Sequence, residues 1–182
     1  MKVFLIAGKA KSGKDLVGKY MKDKFDSKGE NACILHITTP LYEYAKNYFS
    51  WDGNMNNKPR EFLQEMGVEI IQNKLGKKYF LIDRLCDDIE ILKNYFDVFI
   101  ITDGRLISEF EELRRRIDNI KIIRVIRENY DNNLSEKEKN HITETDLDNY
   151  HNYDYTVYNT SKDILLKEID RIVEEESDII WV

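Results

Sequence analysis

Short apolar runs alternate along this chain with longer stretches in which apolar residues recur every three or four positions. Lys2–Ala7 is a strand pattern, and a helical stretch runs from Lys14 to about Phe25. A second strand is read over Ala32–Ile37, a short helix over Leu41–Phe49 and a polar loop over Ser50–Lys58. In Arg60–Lys74 the residues Phe62, Leu63, Met66, Ile70 and Ile71 stand close to i, i+3, i+4 spacing, which predicts a helix. Tyr79–Tyr95 and Leu106–Ile117 read as further helices. Val98–Thr102 is nearly all apolar, as expected of a strand covered on both faces. Strands over Ile120–Ile126 and Asp154–Tyr158 and an amphipathic helix over Lys162–Glu175 complete the pattern. This alternation predicts an α/β fold with a mainly parallel, five-stranded sheet between helices, and ligands at the C-terminal ends of its strands.

One segment breaks the rhythm. Arg127–Asn149 is polar, charged and long for a connection, which is expected of a lid over an active site. At 182 residues the chain suits one domain, 1–182. No apolar run approaches the roughly 20 residues of a membrane span. The chain opens directly on a strand pattern, so no leader is expected, and Cys33 and Cys86 lack metal spacing. A cytoplasmic protein with reduced thiols is the expectation. The net charge of −6 argues against a partner of duplex nucleic acid. It does not exclude an anionic small substrate, because local cations can override net charge.

The most specific chemistry lies in Gly8-Lys9-Ala10-Lys11-Ser12-Gly13-Lys14-Asp15, between the first strand and the first helix. Glycines let backbone N–H groups turn inward around a phosphate, and the helix N-terminus adds partial positive charge. Lys14, expected at the surface, would reach a nucleotide's outer phosphates. Asp15 stands where such loops usually carry the Ser or Thr that holds Mg²⁺.

Four further groups could carry chemistry. Thr39-Pro40 reads as a helix cap followed by proline in the first turn. Arg60 and Gln64 are four apart and share a helix face, where a guanidinium can grip phosphate and an amide can read a base edge. Asp103-Gly104-Arg105 ends the buried strand, placing a carboxylate opposite the phosphate loop for Mg²⁺ or proton acceptance, and a guanidinium for the acceptor. Arg124 and Arg127 enter the lid and could balance charge on a transferring phosphoryl group. His141 and Glu144 have one-turn spacing but no third ligand, so they read as a lid-anchoring or solvated pair rather than a metal site.

Together these residues resemble the bacteriophage-type deoxynucleoside monophosphate kinase family over most of the chain. The likeness is carried by the Gly8–Asp15 loop, Thr39-Pro40-Leu41, Arg60-Glu61-Phe62-Leu63-Gln64-Glu65-Met66-Gly67, Asp103-Gly104-Arg105 with Glu109, and His141-Ile142-Thr143-Glu144 followed by Asp154 and Asn159. The resemblance implies a three-layer α/β/α P-loop kinase fold with a helical acceptor-binding part (about 39–95) and a lid (about 127–149). It implies transfer of the γ-phosphoryl of ATP, with Mg²⁺, to a nucleoside monophosphate. By resemblance, Gly8, Lys11, Ser12, Gly13, Lys14 and Asp15 hold ATP, with Asn159 near the adenine. Asp15 and Asp103 position Mg²⁺. Thr39, Arg60, Gln64 and Arg105 bind the acceptor, and Lys14, Asp103, Arg124 and Arg127 serve catalysis. Leu16 and Val68 stand where the family usually has Thr, which leaves base selectivity open. Animal-type phosphomevalonate kinases share the loop pattern and supply an alternative acceptor. A non-catalytic nucleotide-binding module is the alternative of another class. No oligomeric state follows from the sequence, and a homodimer is left open.

Overall fold

The structure is a computed structural model that describes residues 1–128, 130 and 134–177. Five strands form one wholly parallel sheet: β1 (Lys2–Ala7), β2 (Ala32–Leu35), β3 (Val98–Gly104), β4 (Lys121–Ile126) and β5 (Tyr155–Tyr158), in the order β2-β3-β1-β4-β5. The strand positions and the parallel direction match the sequence expectation. β1 takes the centre because it is apolar on both faces. Val3, Leu5 and Ala7 point into one core layer with Phe99 and Ile101, while Phe4 and Ile6 point into the other with Val98 and Ile100.

Two helices, α1 (Lys14–Ser27) and α8 (Lys162–Glu176), cover the second layer through Val17, Met21, Phe25, Leu165, Ile169 and Val173. The opposite layer is covered by α2 (Thr39–Tyr48), α3 (Arg60–Gln64), α4 (Phe80–Leu92) and α5 (Ile107–Arg116). Short helices α6 (Glu136–Lys139) and α7 (Ile142–Thr145) lie in the expected lid.

The order places β3 and β4 on either side of β1, with Ala7 in register with Gly104 on one side and Arg124 on the other. The loop after β1 therefore emerges between Asp103-Gly104-Arg105 and Arg124. This is the point where the strand order reverses, the place where such sheets bind ligands.

The approach of α1 to β3 is close. A Cβ on Gly18 would stand 2.3 Å from Thr102 Cγ2, with Ile6 Cδ1 at 3.5 Å. Alanine favours a helix interior over glycine by roughly 1 kcal/mol, but overpacking a buried contact costs about 1–3 kcal/mol. Gly18→Ala is therefore expected to lower the urea midpoint despite its better propensity. A raised midpoint would show that α1 does not lie this close to the sheet.

The segment predicted as one helix over Arg60–Lys74 is helical throughout but changes winding. After α3, Glu65–Lys74 continues as a π-wound helix.

Candidate active site

The loop after β1 depends on glycines at two positions. Gly13 has φ +110°, and a Cβ there would lie 2.6 Å from Asn159 Nδ2. A Cβ on Gly8 would meet Ser12 Oγ at 2.5 Å and the Val125 carbonyl at 2.8 Å. Both glycines are thus required by positive φ or close approach. Lys11 also sits at φ 57°. Asn159, just past β5, donates from Nδ2 to the Ser12 carbonyl at 2.8 Å, so it buttresses the loop directly.

Lys14 is buried, at 6% exposure, rather than at the surface as expected. Its ammonium donates to the carbonyls of Gly8 and Lys9, both at 2.7 Å. Burial pulls its pKa down to about 7, and the Arg105 guanidinium pushes the same way, against the carboxylates of Asp15, Glu144 and Asp103.

In front of the loop lies a cleft of about 600 Å³. Five cationic side chains line it, Lys11, Lys14, Lys58, Arg60 and Arg105, against the two carboxylates of Asp15 and Asp103. The acidic chain thus concentrates positive charge at one place, which is what an anionic ligand needs. Lys58 was missed in the sequence, although its position two residues before Arg60 was a signal. Burial lowers its pKa to about 8, with Arg105 and then Arg60 adding to the effect, and its Nζ donates to Tyr42 Oη at 2.5 Å.

Asp103 is already engaged. Oδ1 accepts from the Ile37 N–H at 2.8 Å, and Oδ2 accepts from the Thr38 N–H at 2.9 Å and the Thr38 hydroxyl at 2.6 Å. It fixes the β2–α2 turn against β3. Thr38, not Thr39, is the residue before α2 that faces the site; the Thr39 hydroxyl instead donates to the His36 carbonyl at 3.0 Å. Asp15 is exposed in the cleft. Among the described residues no group of three or more His, Cys, Asp or Glu could hold a metal by itself. A cation held mainly by ligand phosphates and water, with one or two carboxylates, fits such a donor set, and Mg²⁺ binds in that manner.

The cleft opens onto a pocket lined by Leu41, Leu63, Val68, Leu81 and Leu106, with Gln64 and Gln72 among its polar groups. Arg60, Lys58, Asp103 and Arg105 line both spaces. In α-winding each step of four residues advances about 40° round the helix. Residues four and eight apart thus stay on one broad helix face. Gln64, Val68 and Gln72 therefore face one pocket, while Leu63, Gly67 and Ile71 are buried beside them. Gln72, eight residues after Gln64 on the same helix face, is a pocket residue missed in the sequence, although its spacing carries the signal. The Gln64 amide nitrogen donates to Thr143 Oγ1 at 3.0 Å.

Glu109 turns its carboxyl back to the start of α5, where Oε2 accepts from the N–H groups of Arg105 and Leu106, both at 3.0 Å. Desolvation raises its pKa from 4.5 to about 7, against those two bonds. Between these values the folded protein keeps a proton that the unfolded chain has lost. Stability should then fall as pH rises from about 4.5 to 7 and level off above. Allowing for partial solvent access, the drop is roughly 2 kcal/mol, or a melting temperature lower by about 4–8 °C. Glu109→Gln keeps an oxygen for both N–H groups and should flatten this slope between pH 5 and 8. Parallel slopes for the two proteins would contradict the assignment.

The expected lid divides in two. Residues 129 and 131–133 lie outside the described residues. The later part is anchored rather than free. Glu144 is buried, at 5% exposure; its Oε2 accepts from the Ala10 N–H at 2.9 Å and its Oε1 pairs with Arg105 Nη1. Asp146 accepts from the Ile107 N–H at 2.6 Å, and Asp148 pairs with Lys9 at 2.7 Å.

Arg124 and Arg127 are not brought to the cationic cleft. They line a separate cavity of about 240 Å³ with Lys9, Ser12, Tyr130 and Asp148. Arg127 donates to the Lys11 carbonyl at 3.2 Å and lies over the Tyr130 ring, whose hydroxyl donates to the Ala10 carbonyl at 2.5 Å. Arg124 lies over the Tyr153 ring. The structure thus unites Lys11, Lys14, Asp15, Arg60, Asp103 and Arg105 in the cleft, with Gln64 in the adjoining pocket. Gly8, Ser12 and Asn159 support the loop, and Thr39, Arg124 and Arg127 stand apart from the cleft.

A parallel sheet whose central strand runs into a glycine loop and a helix, with a buried lysine and a cationic cleft, defines a P-loop kinase, a nucleotide-binding phosphotransferase. Residues 37–169 match the deoxynucleotide monophosphate kinase family, and the chain belongs to that family. The loop at residues 8–15 precedes the matched stretch. Among solved structures, the chain is similar to the APS kinase of Mycobacterium tuberculosis in complex with AMPPNP and APS. The identity is 12%, the TM-score 0.50, and 95% of each chain is covered. A gluconokinase from Sinorhizobium meliloti 1021 is 14% identical at a TM-score of 0.49, covering 96% of this chain and 94% of that one. A shikimate kinase from Bacteroides thetaiotaomicron is 12% identical at 0.48, with 96% and 97% covered. No curated protein matches the sequence. Among the described residues no helix is long and apolar enough to cross a membrane.

Proposed function

We propose that this kinase moves the γ-phosphoryl group of ATP, with Mg²⁺, to a deoxynucleoside or nucleoside monophosphate. The observation that carries the reading is the junction of two spaces: a phosphate-loop cleft lined by five cations opens onto an apolar pocket holding the amides of Gln64 and Gln72. Phosphates suit the first space. A flat base suits the second, with apolar walls for its faces and amides, which both donate and accept, for its edge.

In this reading the loop N–H groups and Lys14 bind the donor phosphates, and Lys11 adds charge beside them. Arg60 and Arg105 grip the acceptor phosphate, with Lys58 lining the same cleft. Asp15 and Asp103 would hold Mg²⁺, which when bound would offset phosphate charge. Catalysis is then positioning and electrostatics, bringing two phosphates into line in the cleft. Arg127 supports the loop through the Lys11 carbonyl, and Arg124, on β4, stands beside it in the separate cavity.

The test is ADP release from Mg·ATP with each common ribo- and deoxyribonucleoside monophosphate and with phosphomevalonate. Stimulation by one or more nucleotides is expected. Stimulation by phosphomevalonate alone would replace the acceptor, and ATP binding without any stimulation would favour a binding module.

A further inference from the structure

Glu144 joins parts of the site that the chain keeps far apart. One carboxylate oxygen is bound to the phosphate loop through the Ala10 N–H, and the other to the guanidinium of Arg105 at the end of β3. Its side chain is 5% exposed and that of Arg105 is 20% exposed. Charge-assisted bonds in such a place are strong and directional. The residue sits on a segment with a second attachment to α5, through Asp146, and a contact with the acceptor helix, through Thr143 and Gln64. Arg105 lines both the cleft and the pocket, so the direction in which its fork points decides what it can grip.

We propose that Glu144 is a positioning residue: it aims the Arg105 guanidinium at the acceptor phosphate and, through the Ala10 N–H, sets that guanidinium in register with the phosphate loop. The proposal rests on reading the cleft as the acceptor site. A long guanidinium without this partner would sample several rotamers. A displacement of about 1 Å in a positioned group can cost on the order of 100-fold in rate. Glu144 acts through Arg105 and need not touch either substrate.

Two measurements on the full chain separate this proposal from the reading beneath it. The variants are Glu144→Gln, Arg105→Met and the double variant, each first checked for an unchanged melting transition. Glu144→Gln is nearly isosteric and keeps an oxygen for the Ala10 N–H. If it fails to fold, Glu144→Asp, which retains the charge but falls one methylene short, takes its place.

Kinetics should show kcat/KM for the nucleoside monophosphate lowered about 10–100-fold in Glu144→Gln, with KM for ATP changed less than about threefold. In the Arg105→Met background the same change should add less than about twofold, because the residue it acts through is gone. Calorimetry with the nucleoside monophosphate alone should show the same non-additivity in affinity. Multiplying effects, or equal losses for ATP and acceptor, would overturn the positioning role while wild-type turnover keeps the kinase reading. Glu144-dependent, non-additive binding without turnover would keep the positioning role and remove the kinase reading. Neither binding nor turnover would overturn both.

Discussion

Lys14→Met is expected to lower turnover by at least about 100-fold, the scale seen when one strong transition-state donor is lost. The argument starts from where the ammonium rests. It is buried and tied back to the carbonyls of Gly8 and Lys9, with its pKa drawn down to about 7 by desolvation and by Arg105. A triphosphate entering the loop brings the negative charge that the site lacks and draws the ammonium forward. Methionine keeps the buried stem without the charge, so the melting temperature should stay within a few degrees. ATP turnover and thermal unfolding of the same preparation check both parts. Normal turnover would mean that the loop does not hold the donor phosphates.

The second large effect is expected at Arg60. Its guanidinium lines both the cleft and the pocket, close enough to Lys58 to help lower that lysine's pKa. Charged hydrogen bonds of this kind contribute about 1.5–3 kcal/mol, so Arg60→Ala should raise the acceptor KM by roughly 10–100-fold. ATP affinity should change little, because the donor is held by the loop. Steady-state kinetics with each substrate varied in turn reads the difference. Equal losses for ATP and acceptor would remove Arg60 from the acceptor side.

The fold was legible because its signals are local. Val3–Ala7 and Val98–Ile101 are apolar without interruption, and the glycine loop stands between a strand and a helix, so sheet, direction and donor site follow from short stretches. What could not be read depends on contacts between distant segments. Asp103 looked free for a metal, yet most of its bonding goes to the Ile37-Thr38 turn, which no spacing reveals. Gln72 enters the pocket eight residues after Gln64, a spacing that shares a helix face but does not say that this face meets a pocket. Lys14 looked exposed because a lysine after a glycine gives no hint that its own loop will fold over it. Arg124 and Arg127 were read toward the transferring group from their place at a strand end. β4 lies on the opposite side of β1 from Asp103, and that order is a property of the sheet rather than of any one segment. Glu144 was visible only as one half of a spaced pair, since its partners lie 134 and 39 residues away.

The most direct test of phosphoryl transfer follows the phosphoryl group itself. ATP labelled at the γ-phosphate would be incubated with Mg²⁺, the protein and a panel of deoxynucleoside monophosphates, and the products separated. The account predicts label in a deoxynucleoside diphosphate, in step with ADP formation. Label released only as inorganic phosphate, or retained in ATP with every acceptor, would contradict it.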